Sequence, residues 1–175
     1  YSAYGNLQEL LEFNQWLGTL GFADVVVCAG NHDRQAFTSG FEHTKSLFTN
    51  AHYLQDSEIT VQGVRIYASP YTPTFGSWSF MKSESELVEV YSKIPESLDV
   101  LITHGPARGI LDRTDRGVHA GSLALLDRIK AVVPKIHISG HIHEARGEFD
   151  SGVTRSYNVA SLDKYYQGDG VIIEI

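Results

Sequence analysis

An α/β layered domain is the fold this sequence predicts, and three observations predict it. Short β-branched runs, VVVCA at 25–29, VLIT at 100–103 and IHIS at 136–139, read as buried strands. Segments with helically spaced apolar residues lie between and before them. Each run then opens into a polar cluster: NHD at 31–33, HG at 104–105 and GHIH at 140–143. In an α/β sheet, that is where strands reach the carboxyl edge and functional groups gather.

The elements follow in chain order. Leu7, Leu10, Leu11, Asn14 and Leu17 share one helical face, so residues 6–20 are expected as an amphipathic helix closed by Gly18 and Gly21. The strand from Val25 follows. Residues 35–50 suggest a helix around Ser39 to Phe48. EITVQGVRIYAS at 58–69 alternates about Gln62-Gly63 and reads as a hairpin. SPYTPTFGSWSF at 69–80 places two prolines and a glycine among aromatics and is expected to be irregular. Ser83 to Ile94 is expected as a helix with Ser83 and Glu86 as a capping box. Ser122 to Val133 is expected as another, with Leu123, Leu126, Ile129 and Val133 on one face, and stopped by Pro134. Residues 145–149, 153–159 and 171–175 read as further strands, which with the hairpin are expected to supply antiparallel pairing.

The length, 175 residues, suits a single domain over 1–175 that buries a core without staples. Net charge is −7 and no run of Lys or Arg occurs, which argues against a long nucleic acid or an anionic membrane as partner. No apolar stretch is long enough to span a bilayer. Cys28 is the single cysteine, so no disulfide forms within the chain and a reducing, cytoplasmic location is expected.

Asn31, His32, Asp33, His104, His141 and His143 can therefore meet at one sheet edge. Neutral imidazole is the commonest nitrogen ligand for divalent metals, and an amide oxygen can also ligate. With an extended backbone at 141–143, both rings would point one way and Ile142 into the core. A lone histidine after a strand is more often a hydrogen-bonded loop residue, and GNHD alone could be a turn; the three clusters together argue for a metal site. His43, His52 and His119 lie in loop regions without this context, and His137 reads as a core residue. Zinc amidohydrolases also use H-x-H, but on the first strand of a barrel needing about 250 residues, which this chain cannot form.

GNHD at 30–33, HG at 104–105 and GHIH at 140–143, in that order, resemble the calcineurin-like metallophosphoesterases. IYASPYTPTFGSWSF, IPESLDVLITHGPARGILD, KIHISGHIHEARG and YNVASLD are similar to the metallophosphoesterase-domain-containing branch, of the cyclic-nucleotide phosphodiesterase type. The resemblance covers nearly the whole chain and implies a layered αββα sandwich with two divalent ions (Mn, Fe, Zn or Co). It implies metal ligation of one ion by Asn31, His104 and His141 and of the other by His143. His32 would assist the leaving oxygen, with Asp33 orienting it. The implied activity is hydrolysis of a small phosphodiester or cyclic nucleotide by a metal-activated hydroxide. A phosphomonoesterase, or a non-catalytic binding protein of the same fold, is the competing reading; oligomeric state is open.

The family's D-x-H and G-D motifs do not occur before Gly30. The resemblance therefore implies a fold without its N-terminal strand and a site without its bridging carboxylate, as in a fragment of a longer enzyme. Asp24 enters its strand at the wrong end to substitute. Such a chain is expected to expose apolar surface and to aggregate.

Overall fold

The computed structural model describes residues 5–161 and 170–175. Helix α1 (Leu7–Gly18) begins with a capping box, in which the Asn6 side chain accepts from the Glu9 amide and Glu9 reaches back to Asn6. It buries Leu10, Asn14 and Leu17. Strand β1 (Val26–Cys28) pairs in parallel with β2 (His52–Leu54), a three-residue strand that carries no alternation to betray it in the sequence. Between them the expected helix is two short ones, α2 (Arg34–Ser39) and α3 (Phe41–Leu47), separated by Gly40 at φ 78°.

The hairpin forms as expected from β3 (Ser57–Val61) and β4 (Val64–Ser69). Gln62 and Gly63 both take positive φ, 50° and 84°, the combination whose twist matches a two-residue hairpin loop. The proline-rich stretch is nearly irregular, but Thr72–Pro73 (β5) pairs with Met81–Lys82 (β6). Helix α4 (Glu84–Ser92) carries the predicted Ser83–Glu86 box. Strand β7 (Val100–Thr103), helix α5 (Leu123–Val132) and strand β8 (Ile136–Ser139) fall where the apolar runs placed them. Strands β9 (Gly147–Asp150) and β10 (Arg155–Asn158) close the series.

The main sheet has six strands in the order β3-β4-β7-β8-β10-β9 and is mixed, as expected of an α/β layered fold. The run β4, β7, β8, β10 is parallel, so Ser69, Thr103, Ser139 and Asn158 finish at the same edge. One apolar cluster joins Tyr67 and Leu101 to α4 and α5, and a second joins α1 to β1 and β2.

Two expectations are corrected. Helix α5 buries Ala124, Leu125, Ile129 and Val132, while Leu123 is 51% exposed and Val133 is exposed too. Its start sets this rotation: Ser122 caps the Leu125 amide and Glu84 accepts from Ser122 Oγ and the Ala124 amide, turning the Leu125–Ile129–Val132 face inward. Residues 171–175 form no strand; Ile172 and Ile175 stay exposed, and the segment lies beside the β9–β10 edge, where Arg155 donates to the Glu174 carbonyl. An apolar run makes a strand only where a neighbour takes its backbone hydrogen bonds.

His137 is 1% exposed, with Nε2 at 2.8 Å from Thr103 Oγ1 and Nδ1 without a partner among the described residues. It is a core residue, as expected, and burial pulls its pKa down to about 4. Between about pH 4 and 6.5 the unfolded chain therefore binds more protons at this ring than the folded one, and stability rises with pH. The contribution is complete above the unfolded pKa and lost as pH falls through the window, by an amount on the order of 3 kcal/mol. His137→Gln should flatten this part of the acid dependence of the urea midpoint. An equally steep decline in that variant would show that other groups set it.

Candidate metal centre and its cavity

The loop after β1 turns sharply. The Asp33 amide donates to the Gly30 carbonyl at 3.0 Å, and Asp33 Oδ2 accepts from the Gly30 amide at 2.7 Å. This closes GNHD on itself and turns the Asn31 side chain toward the main sheet. Burial raises the Asp33 carboxyl pKa, with the Gly30 amide and the His32 charge opposing it. Asp33 thus meets the loop's backbone through Gly30.

His104 directly follows β7. Its amide donates to the Ser69 carbonyl, and its carbonyl accepts from Gly140 of the loop after β8. Its Nε2 lies 2.7 Å from Asn31 Oδ1, and its ring centroid lies 4.7 Å from that of His141. Three parts of the chain thereby meet: the loops after β1, β7 and β8. The close approach depends on Gly30, because a Cβ there would fall on the His104 ring. Burial first, then repulsion from His141, holds the His104 pKa well below its usual value, and His141 is pulled down to about 4 by burial and by His143. Both rings are therefore neutral near pH 7, the state in which imidazole binds a metal.

The stretch 141–143 is not uniformly extended, so the condition for the two rings to share one direction by strand alternation is not met. His141 is left-handed at φ 70°, the Ile142 amide turns back to the Gly140 carbonyl at 2.8 Å, and His143 opens a single 3-10 turn to Ala145. Ile142 is still driven into the core, now by the turn, while both histidines stay on the cavity wall. The support for this turn comes from Asn158, which the sequence analysis left without a role. It is 1% exposed at the end of β10, donates to the Ile142 carbonyl at 2.8 Å and the Leu111 carbonyl at 3.1 Å, and accepts from the Ala160 amide at 3.0 Å. Its signals in the sequence were a polar residue at a buried strand end and its place in the YNVASLD segment.

These residues line one cavity of about 1170 Å³. Asn31, His32, Asp33, His104, His141 and His143 are all on its wall, so the structure brings together every site residue expected from the sequence. Phe75 and Trp78 stand at its mouth, 58% and 49% exposed, with ring centroids 5.2 Å from His141 and 4.7 Å from His32 respectively. Cys28 also lines it; burial first, then the Asp56 and Asp33 carboxylates, push its thiol pKa up, so it is no nucleophile. Among the described residues no group of three or more His, Cys, Asp or Glu side chains is placed to hold one ion. What converges is an amide oxygen and two neutral imidazoles, a donor set that fits a divalent ion in type while contributing no charge.

A mixed sheet with candidate metal ligands just past its parallel strands defines an α/β layered domain, and comparison with known proteins gives its family. The family described as calcineurin-like phosphoesterase matches residues 1–145, and the chain belongs to that family. It is 36% identical to Metallophosphoesterase domain-containing protein 1 of Homo sapiens, over 95% of this chain and 59% of that protein. It is 32% identical to UPF0046 protein T07D4.2 of Caenorhabditis elegans, over 90% of this chain and 48% of that one. The chain thus spans about half to three-fifths of the length of these relatives. One solved structure superposes with a TM-score of 0.68 at 20% identity, covering 87% of this chain and 63% of its own. TT1561 of Thermus thermophilus superposes at 0.51 and 10% identity, covering 91% and 86%; both likenesses are of fold. The family supports a phosphoric ester hydrolase and generally uses divalent metal ions. No helix among the described residues is long and apolar enough to cross a membrane.

Gly30→Ala should displace the His104 ring without straining the backbone. Zinc affinity, measured by calorimetric titration, should fall about 10–100-fold, the usual cost of disturbing what orients a ligand. Asn158→Ala leaves the buried Ile142 carbonyl unpaired and should cost about 1–3 kcal/mol in urea unfolding. Native zinc affinity in Gly30→Ala would separate the two loops' approach from metal binding.

Proposed function

We propose that this chain carries the metal-binding and leaving-group side of a metal-dependent phosphodiesterase that acts on a small ester with a planar organic group. The observation behind this reading is the meeting of Asn31 Oδ1, His104 Nε2 and the His141 ring beside His32 and two exposed aromatic side chains. Asn31, His104 and His141 would hold one divalent ion (Mn, Fe, Zn or Co), and His143 would serve a second. Ions bound there supply Lewis acidity and the means to activate water.

The remaining work falls to the chain's own side chains. His32 is exposed on the cavity wall, tilted over Trp78, where it can hold a proton for the departing oxygen. Asp33 keeps the His32 backbone in place by closing the loop through Gly30. Phe75 and Trp78 offer flat apolar faces on which a nucleobase or aryl group stacks, worth roughly 1–3 kcal/mol per base. A cavity of about 1170 Å³ with such walls suits a phosphodiester better than a small phosphomonoester. The partner is then a small phosphoester. Cys28, unpaired, supports a reducing compartment such as the cytoplasm. A second reading, a binding protein of the same fold without turnover, draws on the neutrality of the donor set, because an ion without carboxylate partners is held less well. Metal-dependent hydrolysis of bis(4-nitrophenyl) phosphate by the full-length protein separates the two readings.

His32→Ala in the full-length protein should lower turnover about 10²–10⁴-fold for an ester with a basic leaving group, and much less for a nitrophenol, which needs little help to leave. Its metal content should stay near native, whereas Asn31→Ala should lose metal. Equal metal loss in both variants would make His32 a ligand and overturn its assigned role.

A further inference from the structure

Part of the cavity wall is formed by the loop between β7 and α5, whose residues 106–121 the family motifs leave without a task. Arg108, Thr114, His119, Ala120 and Gly121 line it. At its centre Asp112 is 1% exposed, an unusual place for a carboxylate. Its Oδ1 lies 2.6 Å from His119 Nδ1, and its Oδ2 accepts from the Gly121 amide at 3.0 Å. Burial would raise the Asp112 carboxyl pKa, but hydrogen bonds from His119 and from the Gly109 and Gly121 amides lower it overall, so the group is a carboxylate. Arg108 Nη1 donates to the His119 carbonyl at 3.2 Å and braces the backbone at that point. The loop therefore spends a buried anion and an arginine on fixing one half-exposed imidazole.

A carboxylate can only accept, so His119 Nδ1 carries the proton of that hydrogen bond. In the neutral ring Nε2 is then an acceptor, and it has no partner among the described residues. Nothing in the fold of the loop requires Nε2, since the Arg113–His119 bridge and the Thr114–Val118 turn are held by backbone groups and the Thr114 hydroxyl.

We propose that His119, oriented by Asp112, is a substrate contact of this cavity whose Nε2 makes a hydrogen bond with a hydroxyl group on the organic part of the ester. His119 is the specificity residue and Asp112 its positioning residue. The inference rests on the phosphodiesterase reading for the placement of the ester, and it adds a chemical requirement: the substrate carries both a planar group for Phe75 and Trp78 and a free hydroxyl for His119.

The test compares two esters in the full-length, metal-loaded protein: the 4-nitrophenyl ester of adenosine 5′-phosphate and its 2′,3′-dideoxy counterpart. A second readout needs no turnover, namely calorimetric binding of adenosine 5′-phosphate against 2′,3′-dideoxyadenosine 5′-phosphate. The native protein should prefer the hydroxylated member by about five- to tenfold, the worth of one net hydrogen bond. His119→Ala should bring the ratio to about one, His119→Gln should restore part of it through its amide oxygen, and Arg116→Ala, on the same loop but off the cavity wall, should keep it. A native ratio of one, a ratio that survives His119→Ala, or one that Arg116→Ala abolishes overturns the proposal, as does failure to bind either nucleotide. Binding that discriminates through His119 without hydrolysis of either ester would support the contact and sink the phosphodiesterase reading.

Discussion

The cavity depends on how closely the loop after β1 approaches the loop after β7. One belongs to the small sheet and the other to the six-stranded sheet, and the hydrogen bond of 2.7 Å between Asn31 Oδ1 and His104 Nε2 joins them. Only a residue without a Cβ at position 30 permits that distance. Asn31 and His104 would be among the residues that hold a divalent ion. Asp33 and Ser69 serve this approach from either side, the first by closing its loop and the second by accepting the His104 amide.

The parallel strands were the most legible part of the sequence. VLIT and IHIS are β-branched, bounded by polar clusters and buried in the middle of the sheet, so local preference and tertiary environment agree. Because β7 and β8 run the same way, knowing which residues follow each strand was enough to gather His104, His141 and His143 at one edge, whereas Asn31 reaches them from β1 of the small sheet. The geometry within each loop was harder to read. Nothing in GHIH announces a left-handed His141; that conformation follows from the Ile142–Gly140 turn and from Asn158 gripping the Ile142 carbonyl from another strand. The rotation of α5 was misread for a similar reason. Leu123, Leu126, Ile129 and Val133 make a plausible face by spacing, but Glu84, nearly forty residues earlier, decides which face turns inward.

The part of the cavity wall built by the β7–α5 loop shows the same limit on a larger scale. Asp112 and His119 are seven residues apart in a loop whose composition reads as solvated, and only folding reveals that the carboxylate is buried and the imidazole fixed. Phe75 and Trp78 are the reverse case. Aromatics in a proline-broken loop are more often packing than function, yet these two remain about half exposed beside His141 and His32. On the proposed reading, these flanking residues would contribute shape and hydrogen bonding, and the bound ions the charge at the phosphorus. Selectivity among esters would then lie in the 69–80 and 105–121 segments, and ion binding in the loops after β1, β7 and β8.

The most direct measurement is anomalous diffraction at the zinc edge from crystals of the full-length protein grown with zinc. The account predicts an anomalous peak with Asn31 Oδ1 and one nitrogen each of His104 and His141 about 2.0–2.2 Å away. A peak elsewhere in the cavity with Asn31 and His104 still bonded to each other, or no peak on these residues at saturating zinc, would contradict it.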